Sequence, residues 1–172
     1  MVYVPTSKLS NSFRMYEVAK SSIADRNSID NTPSSDVLIA ASLLAVNVLE
    51  PIRSYFQLPI SPSSWYRGEL LERYINDNSY KQWCSRNGKK YGSITSISWK
   101  QYFAKKSHPK GEAVDFEIAG VPNDVIVKWI DAEIPEYDQL IREFPKSGDP
   151  HSGWVHVSFS ATNNRRERFI IN

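Results

Sequence analysis

The sequence predicts an α+β fold in which N-terminal helices pack on a small antiparallel sheet built from the second half of the chain. Apolar residues recur every three to four positions from about residue 35 to 56, as they do along one face of a helix. Later segments instead alternate apolar and polar residues, as strands do. Helices that precede strands in this way are typical of the α+β class.

The helical segments are justified by spacing and by capping residues. A short amphipathic piece surrounds Phe13, and the main helix, at about 35–56, follows the capping candidates Ser34, Ser35 and Asp36. Pro51 lies within this helix and is expected to kink it or end it early. Shorter helices are predicted at about 68–76 and 123–134.

The strands are predicted from alternation and from turn residues. Residues 93–99 and 112–118 both alternate, and the second segment places Asp115 and Glu117 on the face opposite Val114 and Phe116. Residues 137–144 and 154–159 are predicted to form a hairpin around the turn-rich loop 145–153. The chain is about one domain long, so we expect a single domain over residues 1–172.

Composition limits the function classes. Cys84 is the only cysteine, which excludes an internal disulfide and a CxxC metal site. No uninterrupted run of about 18 apolar residues occurs, so no membrane span is expected. The first residues lack the apolar core of a secretory signal, and delivery outside the cytoplasm would therefore need another route.

The segment 78–111 is basic, with eight lysines and arginines and no acidic residue. About 77–99 is interpreted as an insertion, because aromatic residues interleave with the basic ones in a pattern that could bind an anionic polymer or stack on sugars. A solvated loop with a small apolar cluster of its own is the alternative. A nucleic-acid-binding protein is a third hypothesis, but the net charge of +2 gives it little support and no nucleic-acid partner is expected.

The histidines suggest a metal site. Only three occur, His108, His151 and His156, and all lie in the second half of the chain. A catalytic zinc site uses three His, Asp or Glu ligands and leaves a fourth position open. Pro109 and Gly111 exclude a continuous helix from His108 to Asp115, but a turn that enters the strand could bring both side chains to one point.

Two motifs carry a family resemblance. Ser107-His108-Pro109-Lys110-Gly111-Glu112-Ala113-Val114-Asp115 matches the HxxGxAxD part of the motif SxHxxGxAxD, with its serine directly before the histidine instead of two positions before it, and Trp154-Val155-His156 matches the WxH element that follows. Together they resemble the zinc peptidase superfamily of D-Ala-D-Ala carboxypeptidases, D-Ala-D-Ala dipeptidases and L-alanyl-D-glutamate endolysins, to which hedgehog domains are structurally related. The similarity covers nearly the whole chain and looks closest to the phage-associated branch; it extends to residues 29–33, 48–53, 66–67, 138–144 and 164–166.

The resemblance implies a function as well as a site. His108, Asp115 and His156 would bind Zn²⁺ in the sheet, and Arg67 would steady a substrate carbonyl or carboxylate. The expected activity is hydrolysis of peptidoglycan peptide bonds by a zinc-activated water, as an endopeptidase or a D,D-carboxypeptidase. The phage-associated branch further implies synthesis in a host cytoplasm, action on the cell wall, and virion components as partners.

The general base is a departure from the family pattern. Several members carry a glutamate three residues before the second zinc histidine, where this chain has Gly153. If Phe144 pairs with Gly153 in the hairpin, Glu143 shares a face with His156 and becomes the leading candidate. His151 is its rival, and Asp149 and Glu117 also stay open. The missing glutamate equally allows a catalytically silent zinc-binding module, structural or wall-binding, of a phage particle.

Overall fold

A computed structural model describes residues 1–172 and has the α+β architecture that the sequence predicts. The helices are α1 (Met15–Ala19), α2 (Ser22–Arg26), α3 (Ser35–Leu44), α4 (Glu50–Phe56), α5 (Glu69–Arg86), α6 (Ile97–Phe103) and α7 (Asn123–Glu133). The strands are β1 (Ile60–Ser64), β2 (Ala113–Ile118), β3 (Gln139–Glu143), β4 (Trp154–Ser158) and β5 (Glu167–Ile171). A 3-10 turn, His108–Lys110, precedes β2.

The sheet has the order β1-β2-β4-β3-β5 and is mixed. The prediction of a wholly antiparallel sheet is wrong at β5, which pairs with β3 in parallel. The physical reason is the path of the chain. After β4 the chain reverses direction and passes the start of β3, so β5 runs antiparallel to β4 and in the same direction as β3. Strand β5 was not predicted, because its sequence Glu167-Arg168-Phe169-Ile170-Ile171 does not alternate polar and apolar residues, and all five residues are exposed in the structure.

The main core lies between the sheet and one long helical stretch. Leu38, Leu44 and Ile52 of this stretch are fully buried in the same apolar cluster as Phe116 and Val155 of the sheet. The π-helical turn Ala45–Leu49 joins α3 to α4, so the helix passes Pro51 without ending. A π-turn shifts the hydrogen-bond ladder by one residue, which accommodates the missing proline N–H. By length and apolar composition, Ser35–Phe56 could cross a membrane; in this structure its inward face belongs to the core.

The basic segment folds as two helices, which corrects two predictions. The short helix expected at 68–76 continues to Arg86 as α5, with a kink at Asn76. The strand expected at 93–99 is wrong, because α6 begins at Ile97 after Ser96 has capped it by accepting a hydrogen bond from the Trp99 N–H. Buried residues of both helices form a separate cluster, the satellite core: Tyr80, Cys84, Trp99 and Tyr102. This packing overrides the local alternation that suggested a strand.

Candidate metal centre

His108 is held by a turn that only glycine permits. Gly111 has a φ of +77°, and a Cβ at this position would lie 2.5 Å from the Val37 carbonyl oxygen. The turn buries the imidazole, whose Nδ1 lies 2.6 Å from the Trp65 carbonyl oxygen and donates a hydrogen bond to it. Nε2 is therefore the nitrogen with a free lone pair, and it faces Asp115 at 3.3 Å.

Asp115 and His156 face each other across two neighbouring strands. They are direct partners in the antiparallel pairing of β2 with β4, where facing side chains lie close together. His156 Nδ1 is 2.8 Å from Asp115 Oδ1, the same oxygen that His108 Nε2 approaches. The structure thus brings together the three residues that the family resemblance implies, and all three are buried.

This trio could hold a metal ion. Its ligand atoms all lie within 4.8 Å of one another, and two donors bonded at about 2.0–2.1 Å to a tetrahedral ion are about 3.3 Å apart. Burial lowers the pKa of His108 and so keeps a lone pair available. Burial alone would raise the pKa of Asp115, but the two histidines hold it well below its usual range, so the carboxylate stays ionised. The His108 hydrogen bond to a backbone carbonyl is the usual support of a metal-bound imidazole.

Arg67 lies beside the trio and contacts one of its members. Nη2 donates to Asp115 Oδ2 at 2.5 Å, and Nε donates to Ser64 Oγ at 2.8 Å. Asn31 fixes this part of the chain, because its amide donates to the Tyr66 carbonyl and accepts from the Gly68 N–H. Arg67 therefore orients the carboxylate, while its Nη1 makes no hydrogen bond and lies 3.9 Å from Glu72 Oε2.

Glu143 reaches the trio from β3. The predicted hairpin register is confirmed, with Glu143 opposite Trp154 and Ile141 opposite His156. The carboxylate oxygen Oε1 lies 3.8 Å from His156 Nδ1. Burial, with the nearby negative charge of Asp115, raises the pKa of Glu143. A raised pKa makes this carboxylate a stronger proton acceptor than an ordinary one, as a general base requires.

Gly153 occupies the position at which several members of the resembled family carry a glutamate. Its φ is +64°, and a Cβ there would lie 1.8 Å from the Glu143 carbonyl oxygen. No side chain fits this position in the observed hairpin, so position 153 cannot supply a carboxylate to the trio. Glu143, on the strand that closes over Gly153, is the carboxylate found next to the trio.

The other base candidates lie elsewhere. His151 is exposed in the loop between β3 and β4, where its backbone N–H donates to the Asp149 carboxylate. Asp149 is also exposed, and Glu117 is the exposed residue of β2. None of the three side chains lines the cleft that contains the trio.

The cleft has a volume of about 380 Å³ and runs between the sheet and α5. Its lining is mostly polar and comprises Arg67, Glu72, Asn76, Ser79, Lys105, Lys106, Ser107, His108, Asp115, Gln139, Ile141, Glu143, Phe144, His156 and Ile171. Glu72 was not predicted as a site residue. A signal was present, because this acidic residue follows the apolar Leu70 and Leu71 and lies only five residues after Arg67. Burial raises the pKa of Glu72. A smaller apolar cavity, of about 180 Å³, lies between α3 and Phe159, away from the trio.

No protein family, curated protein or solved structure matches this chain.

Proposed function

We propose that this chain is a zinc-dependent peptidase of the resembled superfamily and hydrolyses peptide bonds of bacterial cell-wall peptidoglycan. The observation that carries the proposal is the meeting of His108, Asp115 and His156 in one open cleft with Glu143 3.8 Å from His156. Two imidazoles and one carboxylate are a donor set that catalytic zinc sites use. When bound, Zn²⁺ supplies a Lewis acid that lowers the pKa of a water molecule and polarises a carbonyl group.

The remaining steps belong to side chains of this chain. Glu143 takes the proton of the attacking water and returns it to the leaving amine, because its carboxylate faces the cleft beside His156. Arg67 holds Asp115 in place through Nη2 and offers Nη1 to the oxyanion that develops on the scissile carbonyl. Lys105 and Lys106 on the cleft wall suit a substrate that carries free carboxylates, as wall peptides do.

The direct test is a comparison of two variants. Glu143→Gln keeps the size of the side chain but removes its ability to accept a proton, so turnover of purified sacculi should fall by roughly 10²–10⁴ with zinc content unchanged. His151→Ala is the matched control, because His151 lies outside the cleft, and should keep near wild-type turnover. Release of new amino groups indicates endopeptidase action, and release of free alanine indicates carboxypeptidase action.

Metal dependence completes the test. A chelator should abolish the release and added zinc should restore it, and His156→Ala should no longer bind one zinc per chain. Full zinc occupancy in His156→Ala would contradict the assignment of the ligands. If Glu143→Gln and His151→Ala both match the wild type, neither group is the base, and a catalytically silent wall-binding module of a phage particle becomes the better explanation.

A further inference from the structure

Glu72 is a buried carboxyl group in the lining of the cleft, and one of its oxygens has no hydrogen-bond partner. Only 1% of the residue is exposed. Oε1 accepts a hydrogen bond from Asn76 Nδ2 at 2.9 Å, whereas Oε2 has no hydrogen-bond partner. A buried carboxylate oxygen without a donor is costly, so such an atom calls for a partner that arrives from the cleft.

None of the positively charged side chains near Glu72 donates a hydrogen bond to it. Arg67 Nη1 is 3.9 Å from Glu72 Oε2, which is beyond hydrogen-bonding distance. The other nitrogens of the guanidinium group, Nη2 and Nε, donate to Asp115 and Ser64. Lys106 Nζ lies over the Tyr102 ring, 4.4 Å from its centre. The charge of Glu72 is therefore only partly compensated within the protein. An N–H donor that carries its own positive charge would complete both the hydrogen bonding and the charge balance.

We infer that Glu72 is a specificity-determining residue that binds a protonated amine of the substrate through Oε2. The substrate class is then a wall peptide with a free side-chain amine, held on the α5 side of the cleft and opposite Glu143. This inference rests on the proposed function, because it takes the substrate peptide to enter this cleft. A hydrogen bond between a carboxylate and an ammonium group is expected to strengthen binding roughly 10- to 100-fold.

The test uses two short alanine-containing peptides that differ only at one lysine, whose amine is free in the first and acetylated in the second. Affinities for the zinc-loaded protein are measured by calorimetry. The wild type should bind the free amine about 10–100 times more tightly. In Glu72→Gln, which keeps the shape but removes the charge, the two affinities should become equal. Glu69→Gln is the matched control, since it makes the same change in the first turn of α5, outside the cleft, and should keep the wild-type ratio.

Several results would overturn the inference. Equal affinities of the wild type for the two peptides would overturn it without any variant being needed. Failure of both peptides to bind the wild type would overturn it as well. Equal loss of affinity for both peptides in Glu72→Gln would show that Glu72 serves only to hold Arg67. If both peptides are cleaved but bind with equal affinity, this inference is removed and the proposed function stands. If the free-amine peptide binds more tightly as expected but neither peptide is cleaved, this inference stands and the proposed function is contradicted.

Discussion

Replacing Gly153 by alanine should displace the proposed base without touching any metal ligand. Real Cβ contacts do not fall below 3.0 Å, and the added Cβ would lie 1.8 Å from the Glu143 carbonyl oxygen. Residue 153 and that oxygen must therefore move apart by at least about 1.2 Å, and a misplacement of about 1 Å in a catalytic group can lower turnover about 10²-fold. The left-handed backbone adds about 1–2 kcal/mol of strain, and the overlap adds about 1–3 kcal/mol.

Gly148→Ala is the matched control. Gly148 lies in the same loop with a φ of +81°, but nothing lies within 4 Å of its added Cβ. It should lose only the backbone contribution, about 1–2 kcal/mol, and should keep turnover. Urea unfolding, zinc content and turnover on sacculi are measured for both variants. Equal unfolding free energies and equal turnover would refute the argument that close contact at Gly153 positions Glu143.

Three further predictions concern the loop, the pH response and the basic segment. Asn123→Ala should lower the unfolding free energy by about 1–3 kcal/mol and speed proteolysis of the loop 145–153, because the Asn123 amide donates to the carbonyls of His151 and Gly153; unchanged stability and cleavage would contradict this. Burial and the hydrogen bond to Asp131 raise the pKa of Tyr137 to about 12. The folded protein therefore holds this proton more tightly than the unfolded chain, whose tyrosines titrate near 10, so the stabilisation is complete below about pH 10 and is lost as pH rises toward 12. Tyr137→Phe should reduce this alkaline loss in urea unfolding, and an identical pH profile would count against it. Replacing residues 88–95 by a shorter glycine-containing turn should keep zinc bound while changing wall affinity, measured by sedimentation with sacculi, because this connection lies outside both α5 and α6 and contains no ligand; loss of zinc or unfolding of the variant would contradict this.

The sequence was sufficient to predict those helices and strands in which the local spacing of apolar residues matches the face that is buried in the fold. The hairpin of β3 and β4 was predicted with its register, because alternation fixes which residues face the core and a slip by one residue would reverse every side chain. Helix α7 was predicted for a similar reason, since Ile126 and Ile130 recur at helical spacing on its buried face.

Other features depend on contacts that no local pattern contains. The alternation of residues 93–99 suggested a strand, yet Trp99 and Tyr102 are drawn into a helix by Tyr80 and Cys84, which precede them by about 20 residues. Strand β5 depends on the free edge of β3 rather than on its own composition. Glu72 could be recognised as a cleft residue only from the structure, which shows that it is buried and that one of its oxygens has no hydrogen-bond partner.

Helix α5 links the chemistry of the cleft to the satellite core and so limits how this region can vary. Glu72, Asn76, Tyr80 and Cys84 follow one another at intervals of four and form a stripe that passes through the kink at Asn76, with Glu72 buried on one side of the kink and Tyr80 and Cys84 on the other. A single-residue insertion or deletion within the stripe would rotate everything beyond it by about 100°, since a turn takes 3.6 residues. Either the carboxylate would leave the cleft or the aromatic residues would leave their core. Natural length variation and engineered grafts should therefore be tolerated between Asn87 and Ser96, where the chain leaves one helix and has not yet begun the next.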